Sequence, residues 1–112
     1  MTEEVCNCLD KFEEQTRQRF HKLYVLIYEC TSQSISEKLW AKLPSFYVKD
    51  NFIRIIPFKD HINIEAKAVL SHKGELGEYK ITPKGMLQIY HNQAIPEEAL
   101  KAIFRETLEQ EF

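Results

Sequence analysis

LWAKLPSFYVKDNFIRIIPFKDHINIE, residues 39–65, is the stretch that decides the fold. Its first segment, 45–48, is rich in aromatic and β-branched residues, and its second, 52–58, is almost continuously apolar. In the third segment Ile62 and Ile64 alternate with polar neighbours. Two short polar pieces, KDN and KDH, separate the three segments, and their Asp and Asn residues support tight turns. The pattern predicts three consecutive antiparallel strands, one face of which the rest of the chain has to cover.

Length and composition predict one domain over residues 1–112. Hydrophobic residues make up 44% of the chain, which is enough for one core without disulfide cross-links. The net charge is −2, so no overall basic excess is present for a phosphate backbone, and the composition predicts no nucleic-acid partner. No apolar run reaches membrane-spanning length, and the N-terminus lacks an apolar signal core. These features predict a cytoplasmic protein without a membrane partner, and the odd number of cysteines, three, fits free thiols in a reducing compartment.

Amphipathic helices are predicted on both sides of the strand-forming stretch. Thr2 can cap a first helix, and apolar residues then recur at helical spacing in two sets. Because no firm breaker separates the two sets, one bent helix and two helices both fit. At the other end, Pro96 and two glutamates begin a helix predicted over 96–112. Its apolar stripe consists of Leu100, Ile103, Phe104 and Leu108.

The remaining segments complete the sheet. The predicted elements are a strand at 37–42, a helix at 66–72 that stops at Gly74, a mobile loop at 74–79, and strands at 80–82 and 86–90 on either side of a turn at 83–85. Together they predict an α+β fold. It consists of a single antiparallel sheet of about five strands, with the N- and C-terminal helices packed on one face.

Three short motifs carry a resemblance to a known family. Trp40 with Pro44-Ser45-Phe46 looks like the W-x-M-P-T-F stretch of the YdhG-like family of small bacterial proteins, and FKDHI at 58–62 looks like its F-K-x-H-I stretch. Lys84-Gly85, followed by Pro96 and the last helix, is similar to the C-terminal pattern of that family. The resemblance covers most of the chain. Two departures are Leu43, where Met is usual, and NIE at 63–65, where the family has an aromatic-Pro ending.

The resemblance implies a fold similar in outline to frataxin, with helices on one face of an antiparallel sheet. One member of the family has been linked to intracellular iron delivery. The resemblance therefore implies an iron chaperone that binds ferrous iron or an iron-cluster assembly protein. Such a protein requires no resident cofactor and holds its iron weakly.

Acidic residues in the first helical region are the candidate metal ligands. Carboxylate oxygens suit hard cations and ferrous iron, so a shallow acidic ridge could hold iron weakly enough to release it. Lys11 and Arg17 interleave with these acids, and a solvated helix face is the alternative interpretation. The candidates are Glu3, Glu4, Asp10, Glu13 and Glu14.

Aromatic residues with nearby polar groups form the second candidate site. They could line an apolar pocket whose polar end is fixed by a lysine or a histidine, although aromatic residues of a meander also serve as core alone. The candidate ligand-binding residues are Trp40, Phe46, Tyr47, Lys59, His61 and Lys84, with Phe52 and Phe58 as further ring candidates.

Other chemistry has little support in the sequence. The four histidines lack metal-ligand spacing, and His61 and His91 converge only if their strands are neighbours. Cys6 and Cys8 lie about 200° apart on a helix, so they point to different sides. The chain has no P-loop, G-x-G-x-x-G or G-x-S-x-G motif, and we expect no enzymatic activity. The sequence thus predicts a small binding protein, either an iron chaperone or a protein-interaction or small-ligand module without metal.

Overall fold

A six-stranded antiparallel sheet with helices at both ends of the chain forms the fold of the computed structural model, which describes residues 1–109. The predicted α+β class is confirmed, with six strands where about five were expected. The helices are α1 (Glu3–Leu9), α2 (Glu14–Glu29) and α3 (Glu97–Leu108), and a 3-10 segment spans Lys67–Leu76. The strands are β1 (Ser36–Trp40), β2 (Leu43–Val48), β3 (Asn51–Pro57), β4 (His61–Ala66), β5 (Lys80–Ile81) and β6 (Leu87–Tyr90), in the spatial order β1-β2-β3-β4-β6-β5. None of the helices described is long and apolar enough to cross a membrane.

The central meander forms as the sequence predicts. β2 pairs with β3 through Phe46 opposite Ile53, and β3 pairs with β4 through Ile55 opposite Ile64. Because side chains alternate along a strand, these four residues and Ile62 share one face of the sheet, and all five are buried. This buried side, which faces the helices, is called the inner face below.

The turn between β1 and β2 differs from the prediction. The first strand ends at Trp40, and Ala41 and Lys42 form a two-residue connection with φ of 51° and 68°. Positive φ at both central positions matches the twist of a tight hairpin, but Asn-Gly or Asp-Gly is the usual sequence there. Ala-Lys gives no such signal, and each residue is strained in this conformation by about 1–2 kcal/mol.

Two helices, rather than one bent helix, precede the sheet. Thr2 caps α1 by accepting a hydrogen bond from the Val5 N–H at 3.3 Å, and α1 ends before the start of α2 at Glu14. Glu37 on β1 anchors this region, since its carboxylate accepts from the Thr2 N–H at 2.5 Å and from the Tyr28 hydroxyl at 2.8 Å. Burial alone would raise the pKa of Glu37, but these hydrogen bonds outweigh it and lower that pKa.

Helices α2 and α3 cover the inner face. The predicted stripe of α3 is confirmed, because all four of its residues are buried. Phe20 of α2 and Phe104 of α3 are fully buried with Phe46 of β2, and they are the largest side chains of the core. The predicted helix extends to residue 112, and its last three residues lie outside those described.

The segment after β4 is 3-10 rather than α-helical. It runs past Gly74 to Leu76, and His72 inside it has non-helical dihedrals. The His72 ring bridges two carboxylates, Glu75 on its own segment at 3.0 Å and Glu106 on α3. A histidine that joins two elements in this way depends on tertiary packing, so the local helix-forming composition could not predict the geometry.

Replacing Phe104 with alanine should destabilise the fold by about 3–5 kcal/mol, the usual cost of removing a buried Phe ring. Chemical denaturation of the wild type and Phe104→Ala measures this difference. Lys101→Ala, on the exposed side of α3, is the control and should change stability little. An unchanged denaturation midpoint in Phe104→Ala would place the stripe outside the core.

The His72 bridge should make stability depend on pH in a defined direction. The hydrogen bond to Glu106 raises the pKa of His72, and Glu75 adds to the shift. The stabilisation is therefore fully present below the ordinary histidine pKa of about 6.5 and is lost as pH rises through the raised value. His72→Gln should cost more stability at about pH 5.5 than at about pH 8.5. Equal losses for His72→Gln at both pH values would contradict the bridge.

Candidate functional site

The acidic candidates lie around the junction of α1 and α2, and all are exposed. Glu3 and Glu4 occupy the first turn of α1, Asp10 caps its end, and Glu13 and Glu14 begin α2. Within residues 1–109, no group of three or more His, Cys, Asp or Glu side chains is arranged so that it could hold a metal ion. The carboxylates are therefore not a preformed centre, and loose binding of ferrous iron to this ridge stays a prediction.

His61 begins β4 and His91 directly follows β6, and these two strands are neighbours in the sheet. β4 pairs with β6, and the His91 N–H donates to the Asp60 carbonyl at 3.0 Å. The two rings nevertheless take different partners. His61 Nδ1 lies 2.6 Å from the Asp60 carboxylate and lowers the pKa of that group, whereas His91 Nε2 lies 2.9 Å from the Thr16 hydroxyl. Burial, followed by the charge of Arg19, lowers the pKa of His91, which favours its neutral ring.

The cysteines are free thiols with separate surroundings. Cys6 and Cys8 lie near different backbone carbonyls, those of Met1 and Lys42, as their spacing on a helix predicts. The Cys30 thiol is buried and donates to the Ile27 carbonyl at 2.9 Å. Burial raises the pKa of Cys30 to about 11, which keeps this sulfur protonated and unreactive at neutral pH.

The side of the sheet that faces away from the helices is called the outer face. Strand register places a row of aromatic and apolar side chains on it, and within residues 1–109 all three helices pack on the other side. The outer-face residues that matter below are Lys38, Trp40, Tyr47, Phe52, Arg54, Ile56, Phe58, His61, Lys80 and Tyr90. Trp40 is 53% exposed, which is high for the only tryptophan of a small protein.

Arg54 organises one end of the outer face. Its guanidinium lies between two rings, 4.1 Å from the centroid of Trp40 and 3.9 Å from that of Phe52. One Nη atom donates to Glu65 and the other to the Tyr47 hydroxyl, both at 3.2 Å. These contacts leave Arg54 only 7% exposed on a face without helical cover, and they hold the rings in place.

The predicted aromatic pocket does not form as one site. The sequence groups Phe46 with Trp40 and Tyr47, but Phe46 lies on the inner face, fully buried, with its ring 5.8 Å from that of Tyr24. The reason is the two-residue period of a strand, which sends the neighbours Phe46 and Tyr47 to opposite faces. Lys59 follows β3 and His61 begins β4, and Lys84 belongs to a different turn.

A cleft of about 450 Å³, called the Leu70 cleft, lies where the β2–β3 turn, the 3-10 segment, the turn before β6 and α3 meet. It contains the predicted Lys84. Gly85 beside it has φ of 85°, and Leu70, which packs against Gly85, is 53% exposed. The lining consists of Asp50, Asn51, Phe52, Glu65, Ala66, Lys67, Leu70, Lys84, Gly85 and Thr107.

Sequence reasoning missed most of this lining because it comes from four separate segments of the chain. The one local signal was the Pro83-Lys84-Gly85 turn. Its glycine adopts a positive φ, and this turn places the adjacent Lys84 at the cleft. A second depression of about 550 Å³ shares Leu70, Lys84 and Gly85, so the Leu70 side chain forms a ridge between two hollows.

Comparisons with known protein families, with curated proteins and with solved structures find no match for this chain. The resemblance to the YdhG-like family therefore rests on its three short motifs and stays a prediction.

Removing three carboxylates should abolish any binding of iron to the acidic ridge. Exposed carboxylate ligands compete with water and act mainly through charge, so added salt should also weaken the binding. Under this hypothesis the triple variant Asp10→Asn, Glu13→Gln, Glu14→Gln folds normally but loses the heat of ferrous binding in calorimetry without oxygen.

The control carries the same charge change elsewhere, through Glu29→Gln, Glu78→Gln and Glu98→Gln, all at exposed positions. It should keep the wild-type heat if the ridge is the site. Equal heats from the wild type and the ridge variant at matched salt would reject the ridge.

Proposed function

We propose that the protein is a small binding protein whose Leu70 cleft holds an amphipathic small molecule, with an apolar body and an anionic end. The observation that carries the proposal is the cleft itself. Its volume of about 450 Å³ lies within the range of small-ligand sites, roughly 300–1,000 Å³. Such sites combine apolar walls with a few polar groups, which is the composition found here.

The apolar end of the ligand would contact Phe52 and Leu70. The Phe52 ring is fixed on its other side by Arg54, so this wall is already ordered before a ligand arrives. Leu70 exposes about half of its surface, and covering that surface would be favourable. Preformed walls reduce the entropy lost on binding.

The lining carries two acids and two lysines, and one of the lysines is available to an anion. Glu65 is engaged by Arg54 at 3.2 Å, whereas Lys84 makes no ion pair within the part of the chain described. Asp50 is the remaining acid and lies in the turn at the rim. A carboxylate on the ligand would therefore find the Lys84 ammonium group available.

The iron-delivery function stays a prediction that the calorimetry above addresses, because no contact among residues 1–109 adds support to it. A cytoplasmic location is part of the proposal, supported by three cysteines that are all free thiols.

Octanoate and its neutral analogue octan-1-ol test the cleft. Octanoate should cause saturable shifts of the amide resonances of Phe52, Leu70 and Lys84 in NMR titrations, and octan-1-ol should bind more weakly. Lys84→Gln should weaken the binding of octanoate by about two- to fivefold, as expected for a partly exposed ion pair, and should leave the affinity for octan-1-ol unchanged.

Lys49→Gln is the matched control, an exposed lysine outside the cleft lining, and should bind octanoate as the wild type does. Non-saturating shifts, or shifts centred away from the cleft, would refute this site.

A further inference from the structure

The overall charge of −2 hides an uneven distribution. Residues 38–84, which include most of the sheet, carry nine Lys or Arg and five Asp or Glu. The other described residues, which include all three helices, carry six basic and eleven acidic residues. A low net charge excludes a nucleic-acid partner only if charge is spread evenly, and the charged strand residues of the outer face are Lys38, Arg54 and Lys80 against the single acid Glu65.

The outer face carries exposed lysine side chains as well as exposed aromatic rings. Lys38 on β1 holds its ammonium group 4.6 Å from the centroid of the Tyr47 ring. At the opposite edge, the register of β5 with β6 places Lys80 on the same face. Trp40 lies on β1, two residues beyond Lys38, fixed on one side by Arg54 and open to solvent for half of its surface.

A strip of rings crosses the other end of the outer face. Phe58 and His61 stack with centroids 4.5 Å apart and planes 13° apart, and Tyr90 follows at 5.2 Å from His61. Phe58 and Tyr90 are 41% and 38% exposed. From β1 to β6 the sheet spans four strand spacings, or about 19 Å, so the rings are spread across the face rather than gathered in one pocket.

We propose that the outer face binds single-stranded nucleic acid. Bases stack on Trp40 and on the strip formed by Phe58 and Tyr90, while Lys38 and Lys80 contact phosphates. Aromatic rings and Arg suit a protein partner as well, but the exposed lysines favour a phosphate-bearing strand, because lysine is depleted in protein–protein interfaces and is a common phosphate ligand. The proposal concerns a surface other than the Leu70 cleft and does not depend on a ligand there.

The single tryptophan provides a direct readout. Trp40 fluorescence should be quenched in a saturable way by oligouridylate or oligothymidylate of about 12 nucleotides, a length within the range that single-strand-binding domains cover. The affinities of the two probes show whether the outer face prefers RNA or DNA. For the two phosphate contacts of Lys38 and Lys80, affinity should fall about sevenfold between about 50 and 200 mM salt, from a slope of about −0.7 per contact.

Two variants that keep Trp40 test the contacts. Phe58→Leu with Tyr90→Leu removes the exposed rings and should weaken binding at least about fivefold, the lower end for losing one stacking ring. Its control is Phe12→Leu, a ring at the α1–α2 junction, which should bind as the wild type does.

Lys38→Gln with Lys80→Gln should weaken binding and reduce the salt slope, whereas Lys11→Gln with Lys101→Gln, in the α1–α2 turn and on α3, should do neither. Circular dichroism of all variants checks that the fold is kept.

Three results would overturn the proposal. The first is the absence of saturable quenching at low salt. The second is equal weakening by both pairs of lysine substitutions, which would mean that binding depends on the overall charge of the protein and not on Lys38 and Lys80. The third is a poly-glutamate peptide that binds as tightly as the oligonucleotides, which would assign the face to an acidic protein segment instead.

Discussion

Burial of one face of the sheet is the constraint on which the rest of the structure depends. α2 and α3 both pack against the inner face, where Phe46 lies in the same core as Phe20 and Phe104. Close packing of these rings fixes the register of β2, β3 and β4, because a slip of one residue would send every inner side chain outward. The same register decides which residues are left on the outer face.

The outer face keeps order without a covering helix. Arg54 replaces that cover locally, since its guanidinium fills the space between Trp40 and Phe52 and bonds to Glu65 and Tyr47. Its Nε is buried without a hydrogen-bond partner among residues 1–109, so the ring faces provide the remaining contact. A charged group is thus held in a defined position on a surface that would otherwise be a loose set of side chains.

The two proposed surfaces meet at Phe52 and Glu65, which both line the Leu70 cleft and both contact Arg54. Phe52 forms a wall of the Leu70 cleft and is also a ring of the Arg54 stack. Both surfaces draw mostly on residues 38–84, where Lys and Arg outnumber Asp and Glu by nine to five. The net charge of the whole chain does not report this local excess of basic residues.

The sequence by itself determined the α+β class, the meander and the buried stripe of α3, because periods of two and 3.6 residues are local signals. It also held an unused signal, since the adjacent Phe46 and Tyr47 could not share one pocket. Only the tertiary structure decided the Ala41-Lys42 turn, whose residues lack the usual turn chemistry, and the path of the 3-10 segment at His72. It alone assembled the Leu70 cleft and the Arg54 stack, because their groups come from distant segments that meet only when the strands pair and the helices pack.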